Sequence, residues 1–136
     1  MKVAVVGAQG SGKTTLAKNL RGLCVVCEME TRGAGLVIIT VDALSYLSQS
    51  IDVQPYTEEA LTKNSVTPGF VVAVTKCDLV KRSAVFHHLQ VLFNTFLIPE
   101  EMHALKKCVK RHLNSHDTSW RKYFYDKVSK IFSYCI

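Results

Sequence analysis

An α/β layered domain, with a small, mostly parallel sheet flanked by helices, is what the sequence predicts. Three observations carry that expectation. Apolar runs rich in β-branched residues (2–6, 36–41 and 70–74) alternate with helix-prone stretches. Each run is nearly continuous in hydrophobicity, as expected of strands covered on both faces. A glycine-rich turn joins the first run to the first helical pattern without a gap. At 136 residues the chain has the size of one domain (1–136), with a basic, helical C-terminal part over 106–136.

The elements follow in order. Lys2-Val3-Ala4-Val5-Val6 reads as a buried first strand, and the stretch from Thr15 places Leu16, Ala17 and Leu20 on one helical face. Leu23–Cys27 reads as a second strand. Gly35 precedes Leu36–Val41, the pattern of a central parallel strand, with Asp42 at its end. The stretch from Ala43 to Lys63 is polar and helix-prone, with an interruption expected around Pro55. Asn64–Gly69 is turn material, and Phe70–Val74 is a further strand running into Thr75-Lys76-Cys77-Asp78. Residues 83–96 read as a helix with Val85, Leu89, Leu92 and Phe96 on one face. Pro99, with Glu100 and Glu101, is expected to open another, whose Met102, Leu105, Val109 and Leu113 face inward. From Ser119 onward, Trp120, Phe124, Val128, Ile131 and Cys135 recur at helical spacing.

Residues 7–14, Gly-Ala-Gln-Gly-Ser-Gly-Lys-Thr, fill every position of the phosphate-binding pattern G-x-x-x-x-G-K-[ST] in its strand–loop–helix context. The domain is therefore expected to be P-loop NTPase-like. Glycines at 7, 10 and 12 let backbone N–H groups converge on phosphate oxygens, reinforced by the helix N-terminus. The expected phosphate contacts come from Gly7, Gln9, Gly10, Ser11, Gly12, Lys13, Thr14 and Thr15. Lys13 reaches the β- and γ-phosphates, and the Thr14 hydroxyl ligates Mg²⁺. Asp42 and Glu30 are rival carboxylates for the same ion.

Thr75, Lys76 and Asp78 stand at the C-terminal end of a buried strand, where open parallel sheets bind ligands. A carboxylate there can accept from both N1–H and the N2 amino group of guanine, a donor pair that adenine lacks. The aliphatic stem of Lys76 can cover the base.

Taken together, G-A-Q-G-S-G-K-T, A-G-L-V-I-I-T-V-D-A and V-V-A-V-T-K-C-D-L-V resemble the Ras-like small GTPases over roughly residues 2–21 and 34–80. The resemblance implies a GTP- or GDP-binding protein in which Gly10, Gly12, Lys13 and Thr14 serve phosphate and Mg²⁺, and Thr75, Lys76 and Asp78 serve guanine. Between the first helix and the Leu36 strand that family carries two switch segments, two strands and D-x-x-G. This sequence has only a short stretch there, in which Glu30-Thr31-Arg32-Gly33 is the nearest counterpart, with no glutamine after it. Slow or absent GTP hydrolysis is the resulting expectation. The alternatives are a pseudo-GTPase interaction module and a P-loop kinase of a small molecule or nucleotide. The five arginines form no cluster that would read as a kinase lid.

The whole +6 excess of charge lies in residues 106–136, where eight Lys/Arg face only Asp117 and Asp126. Besides the nucleotide, a protein partner and an anionic membrane surface approached through the basic residues 106–130 are expected. Nucleic acid is disfavoured, because the nearby aromatics read as core. Five cysteines without a pairing pattern, no leader-like start and no long apolar run give a cytoplasmic expectation, peripheral to a membrane at most. The penultimate Cys135 does not fit a prenylation signal.

Overall fold

The computed structural model describes residues 2–44, 53–79 and 94–114. Its strands are β1 (Lys2–Gly7), β2 (Val25–Glu28), β3 (Ala34–Asp42), β4 (Gly69–Thr75) and β5 (Asn94–Leu97). Its helices are α1 (Lys13–Leu20), α2 (Gln54–Lys63) and α3 (Met102–Asn114). The strands form one sheet in the order β2-β1-β3-β4-β5, and every described pairing is parallel. This is the expected α/β architecture.

The period of two along the strands builds the layers. Ala4 and Val6 of β1, Val37, Ile39 and Val41 of β3, and Phe70, Val72 and Val74 of β4 pack on the α2 side with Ala60. The alternate residues Val3, Val5, Leu36, Ile38, Val71 and Ala73 pack on the other side against Leu16, Ala17 and Leu20 of α1 and Leu105 and Val109 of α3. Both faces of the sheet are thus covered, which is why the strands read as continuous apolar runs.

Two expectations change in detail. Phe96 belongs to a strand, not to a helix over 83–96: Asn94–Leu97 pairs with β4 from Val71↔Asn94 to Val74↔Leu97. Four residues are too few to display alternation, so the longer 3.6-residue spacing masked the strand. The break expected around Pro55 lies just before it: Val53 lies outside the helix, and Pro55 sits in the first turn of α2, where its missing N–H costs nothing. Pro99 and its two glutamates precede α3 rather than opening it: Glu101 N–H donates to Leu97 O (2.6 Å) while Leu97 N–H donates to Glu101 Oε1 (2.8 Å). Leu105 and Val109 are buried as expected, with Met102 and Leu113 half-buried beside them. The helical readings over 83–93 and from Ser119 onward lie outside the described residues, as do Asp117, Arg121 and Cys135.

The link from β2 to β3 is short. Glu28 is level with Val5 of β1, and Ala34 with Lys2, so residues 29–33 must pass across β1 and back along it. Two strand spacings and three residues of rise amount to about 14 Å, and this connection can reach about 20 Å. Its fold is fixed at the N-terminal end of the sheet. Asn64, just past α2, donates to Thr31 O (2.9 Å) and Ala60 O (2.8 Å) and accepts from Gly33 N–H (2.7 Å). Lys2 Nζ donates to Arg32 O.

Candidate functional site

β1 ends in a loop whose course depends on glycine. Gly7 has φ +152°, and a Cβ there would overlap the Thr40 hydroxyl and carbonyl oxygens. Gly12 has φ +91° and precedes α1 without any side-chain cap, so the first-turn N–H groups are left for an anion at this end of the helix.

The floor of the loop is built from hydroxyl groups. Ser11, 3% exposed, has its Oγ 2.8 Å from Thr40 Oγ1. Thr40 donates its single proton to Val6 O (2.9 Å), so Ser11 is the donor in the pair. Thr75 Oγ1 donates to Ser11 O (2.7 Å) from β4. Lys76, with φ +60°, sends its ammonium group to Gly10 O (2.9 Å) and to the Asp42 carboxylate (2.8 Å). Three strands thereby hold the loop from beneath. Lys13 Nζ donates to Ala8 O (2.9 Å), which keeps its charge against the loop. Gln9 and Gly10 are exposed at the rim, and Thr15 is exposed on the first turn of α1.

Asp78 is exposed on the single 3₁₀ turn Cys77–Leu79 that follows β4. Thr75, Lys76 and Asp78 therefore lie on one short path at the C-terminal edge of the sheet, the first two bonded directly to the glycine loop. Burial pushes the neighbouring Cys77 thiol up from its ordinary pKa, which keeps it protonated and unreactive.

Among the three candidate metal residues, only Thr14 stands with a carboxylate, and that carboxylate is Glu28. Thr14 Oγ1 donates to Glu28 Oε1 at 2.7 Å, and Arg21 approaches the other oxygen at 3.4 Å. Asp42 and Glu30 make other contacts. Asp42 pairs with Lys76 and accepts from Leu44 N–H (2.7 Å). Glu30 accepts from Arg32 N–H (2.8 Å), which with Lys63 and Lys2 nearby holds its carboxyl below the usual range. That places Glu30 towards the N-terminal end of the sheet, away from the glycine loop.

Sequence reasoning passed over Glu28. What the sequence does show is a carboxylate closing a short apolar run, h-h-h-E, and the structure sets it level with Val5, two residues before the end of β1. A hydroxyl and a carboxylate oxygen at this spacing form a hard donor set that suits Mg²⁺, which keeps waters and takes one or two carboxylates along with phosphate oxygens.

No family model matches the chain, and no curated protein matches it. Among solved structures, its fold is similar to that of the translation elongation factor SelB from Methanococcus maripaludis in the apo form, with a TM-score of 0.60 and 15% sequence identity. The match covers 85% of this chain and 33% of the elongation factor, so this chain spans about one third of that protein's length. What the likeness establishes is the fold, the layered α/β domain with its parallel sheet.

Proposed function

We propose that this chain binds a guanine nucleotide together with Mg²⁺ and hydrolyses GTP slowly or not at all. The observation that carries the reading is the direct tie between the two halves of the site. Thr75 and Lys76, which precede Asp78 by two or three residues, hydrogen-bond the backbone of Ser11 and Gly10. A base held at Asp78 and a phosphate held at residues 7–15 are then fixed at one separation. The fold likeness to a translation elongation factor supports the same class.

In this reading the loop N–H groups and Lys13 bind the β- and γ-phosphates, and the stem of Lys76 covers the base. Asp78 accepts the guanine N1–H and N2 amino hydrogens. Thr14 and Glu28 would hold the metal, which supplies charge neutralisation at the phosphates when bound. Poor hydrolysis follows from residues 29–33. Positioning an attacking water is the remaining demand of phosphoryl transfer, yet Glu30 is occupied by Arg32 N–H, and Asn64 fastens the loop around it. The same fastening favours, as a second reading, an interaction module that holds nucleotide without switching.

Titration with fluorescent GDP, GTP, ADP and ATP, with and without Mg²⁺, tests the proposal. Guanine nucleotides should bind far more tightly, since each unpaired base-edge group costs about 1–3 kcal/mol. Asp78→Asn should move the preference toward xanthine, which carries a carbonyl where guanine has its amino group. Equal binding of GDP and ADP would refute guanine recognition, and single-turnover hydrolysis far above roughly 10⁻⁴ s⁻¹ would refute the slow-turnover part.

A further inference from the structure

Among the described residues, the helices on the two sides of the sheet differ in charge. On one side, α2 carries Glu58 and Glu59 against a single lysine, Lys63, which is paired with Glu59 at 2.6 Å. On the other, α1 and α3 contain no acidic residue at all. That side presents Lys18 from α1 and Lys106, Lys107, Lys110 and Arg111 from α3, all of them exposed except the half-buried Lys106. None of these five forms an ion pair among the described residues. Lys106, Lys107, Lys110 and Arg111 also stand three and four positions apart on one helix, where like charges repel. The helix dipole offsets this only in the last turn.

We propose that the α1/α3 side is a docking face for an anionic lipid bilayer. Charge complementarity selects a polyanion, and the chemistry of the face selects which one. Neither helix exposes a large apolar side chain. A protein interface ordinarily needs such an anchor at its centre, and single-stranded nucleic acid needs aromatic platforms on which bases stack. A planar surface of anionic headgroups needs neither. It requires only cations spread across one side of the molecule, and here they extend over two helices of the same layer. The opposite sign on the α2 side orients the chain before contact. Docked this way, the glycine loop lies at the C-terminal edge of the sheet, between the two faces and clear of the lipid. This inference is independent of which nucleotide the loop binds.

Co-sedimentation of the full chain with lipid vesicles tests it. At about 0.1 M salt the chain should bind vesicles of phosphatidylcholine with about one-third phosphatidylserine, ignore pure phosphatidylcholine, and be released at about 0.5 M salt. At roughly fivefold per cation, Lys18→Ala should lower partitioning about fivefold and Lys107→Ala/Lys110→Ala about 25-fold. The pair Arg32→Ala/Lys63→Ala removes the same net charge elsewhere and should leave partitioning unchanged. Urea midpoints of the Lys18, Lys107 and Lys110 variants should not fall below the parent's, because these side chains make no ion pair to lose and those on α3 stand among like charges. Full binding by the Lys107/Lys110 variant, or equal loss in the Arg32/Lys63 variant, would overturn the proposal. So would tighter binding to a poly-uridine oligomer than to the vesicles with the same dependence on α3.

Discussion

Thr40 is the side chain on which the floor of the glycine loop turns, and replacing it separates a hydroxyl effect from a packing effect. Thr40→Val keeps the shape and removes the hydrogen-bonding group. Ser11 Oγ then loses its acceptor inside a site that is 3% exposed, and Val6 O loses a donor. A buried polar group left unpaired costs about 1–3 kcal/mol, so the two together predict a loss of about 2–6 kcal/mol. Thr40→Ser keeps both hydrogen bonds and deletes one methyl group, at about 1 kcal/mol. Urea unfolding monitored through Trp120 fluorescence or circular dichroism gives the two values, and nucleotide titration of each folded variant gives the functional counterpart. Valine should be the more damaging change in both assays, with serine close to the parent in affinity. If serine proves as costly as valine, the methyl rather than the hydroxyl carries the effect, and the account of the loop floor is wrong.

Two further outcomes follow from contacts at the site's edges. Glu28→Ala should weaken nucleotide binding at millimolar Mg²⁺ by about tenfold or more, as expected for losing a charge-assisted partner of Thr14. It should have little effect in chelator, and identical Mg²⁺ dependence of variant and parent would remove Glu28 from the metal site. Asn64→Ala deletes two hydrogen bonds to residues 31–33 and one to Ala60, and should cost about 1–3 kcal/mol. Amide exchange at Gly33 and Ala34 should accelerate in that variant, and unchanged exchange there would show that the β2–β3 link is held by something else.

Much of this arrangement was legible because its chemistry is local in the chain. The glycine loop, Lys13 and Thr14 occupy eight consecutive positions, and Thr75, Lys76 and Asp78 fall within four. The central strands were legible because burial on both faces leaves unbroken apolar runs. What escaped depends on register between distant segments. Glu28 reaches Thr14 only because β2 pairs with β1 at Val5↔Glu28, and a single glutamate in a short, half-buried strand does not announce that pairing. Likewise Asp42 meets Lys76 only because β3 pairs with β4 at Asp42↔Thr75. β5 was misread because the four residues Asn94–Leu97 span barely one helical period and only two strand periods, too little for either pattern to stand out.

The loop's dependence on β4 has a consequence during synthesis. By residue 42 the growing chain contains β1, the glycine loop, α1, β2 and β3, which is every segment that a phosphate would touch. Yet the hydrogen bonds from Thr75 to Ser11 and from Lys76 to Gly10 span 64 and 66 positions. Until that later strand leaves the ribosome and docks, the carbonyl groups of residues 10 and 11 lack their restraint, and the left-handed glycine at position 12 has no Thr75 methyl packed beside it. A nascent chain halted before residue 75 would therefore carry the complete glycine motif without the two side chains that tie it down.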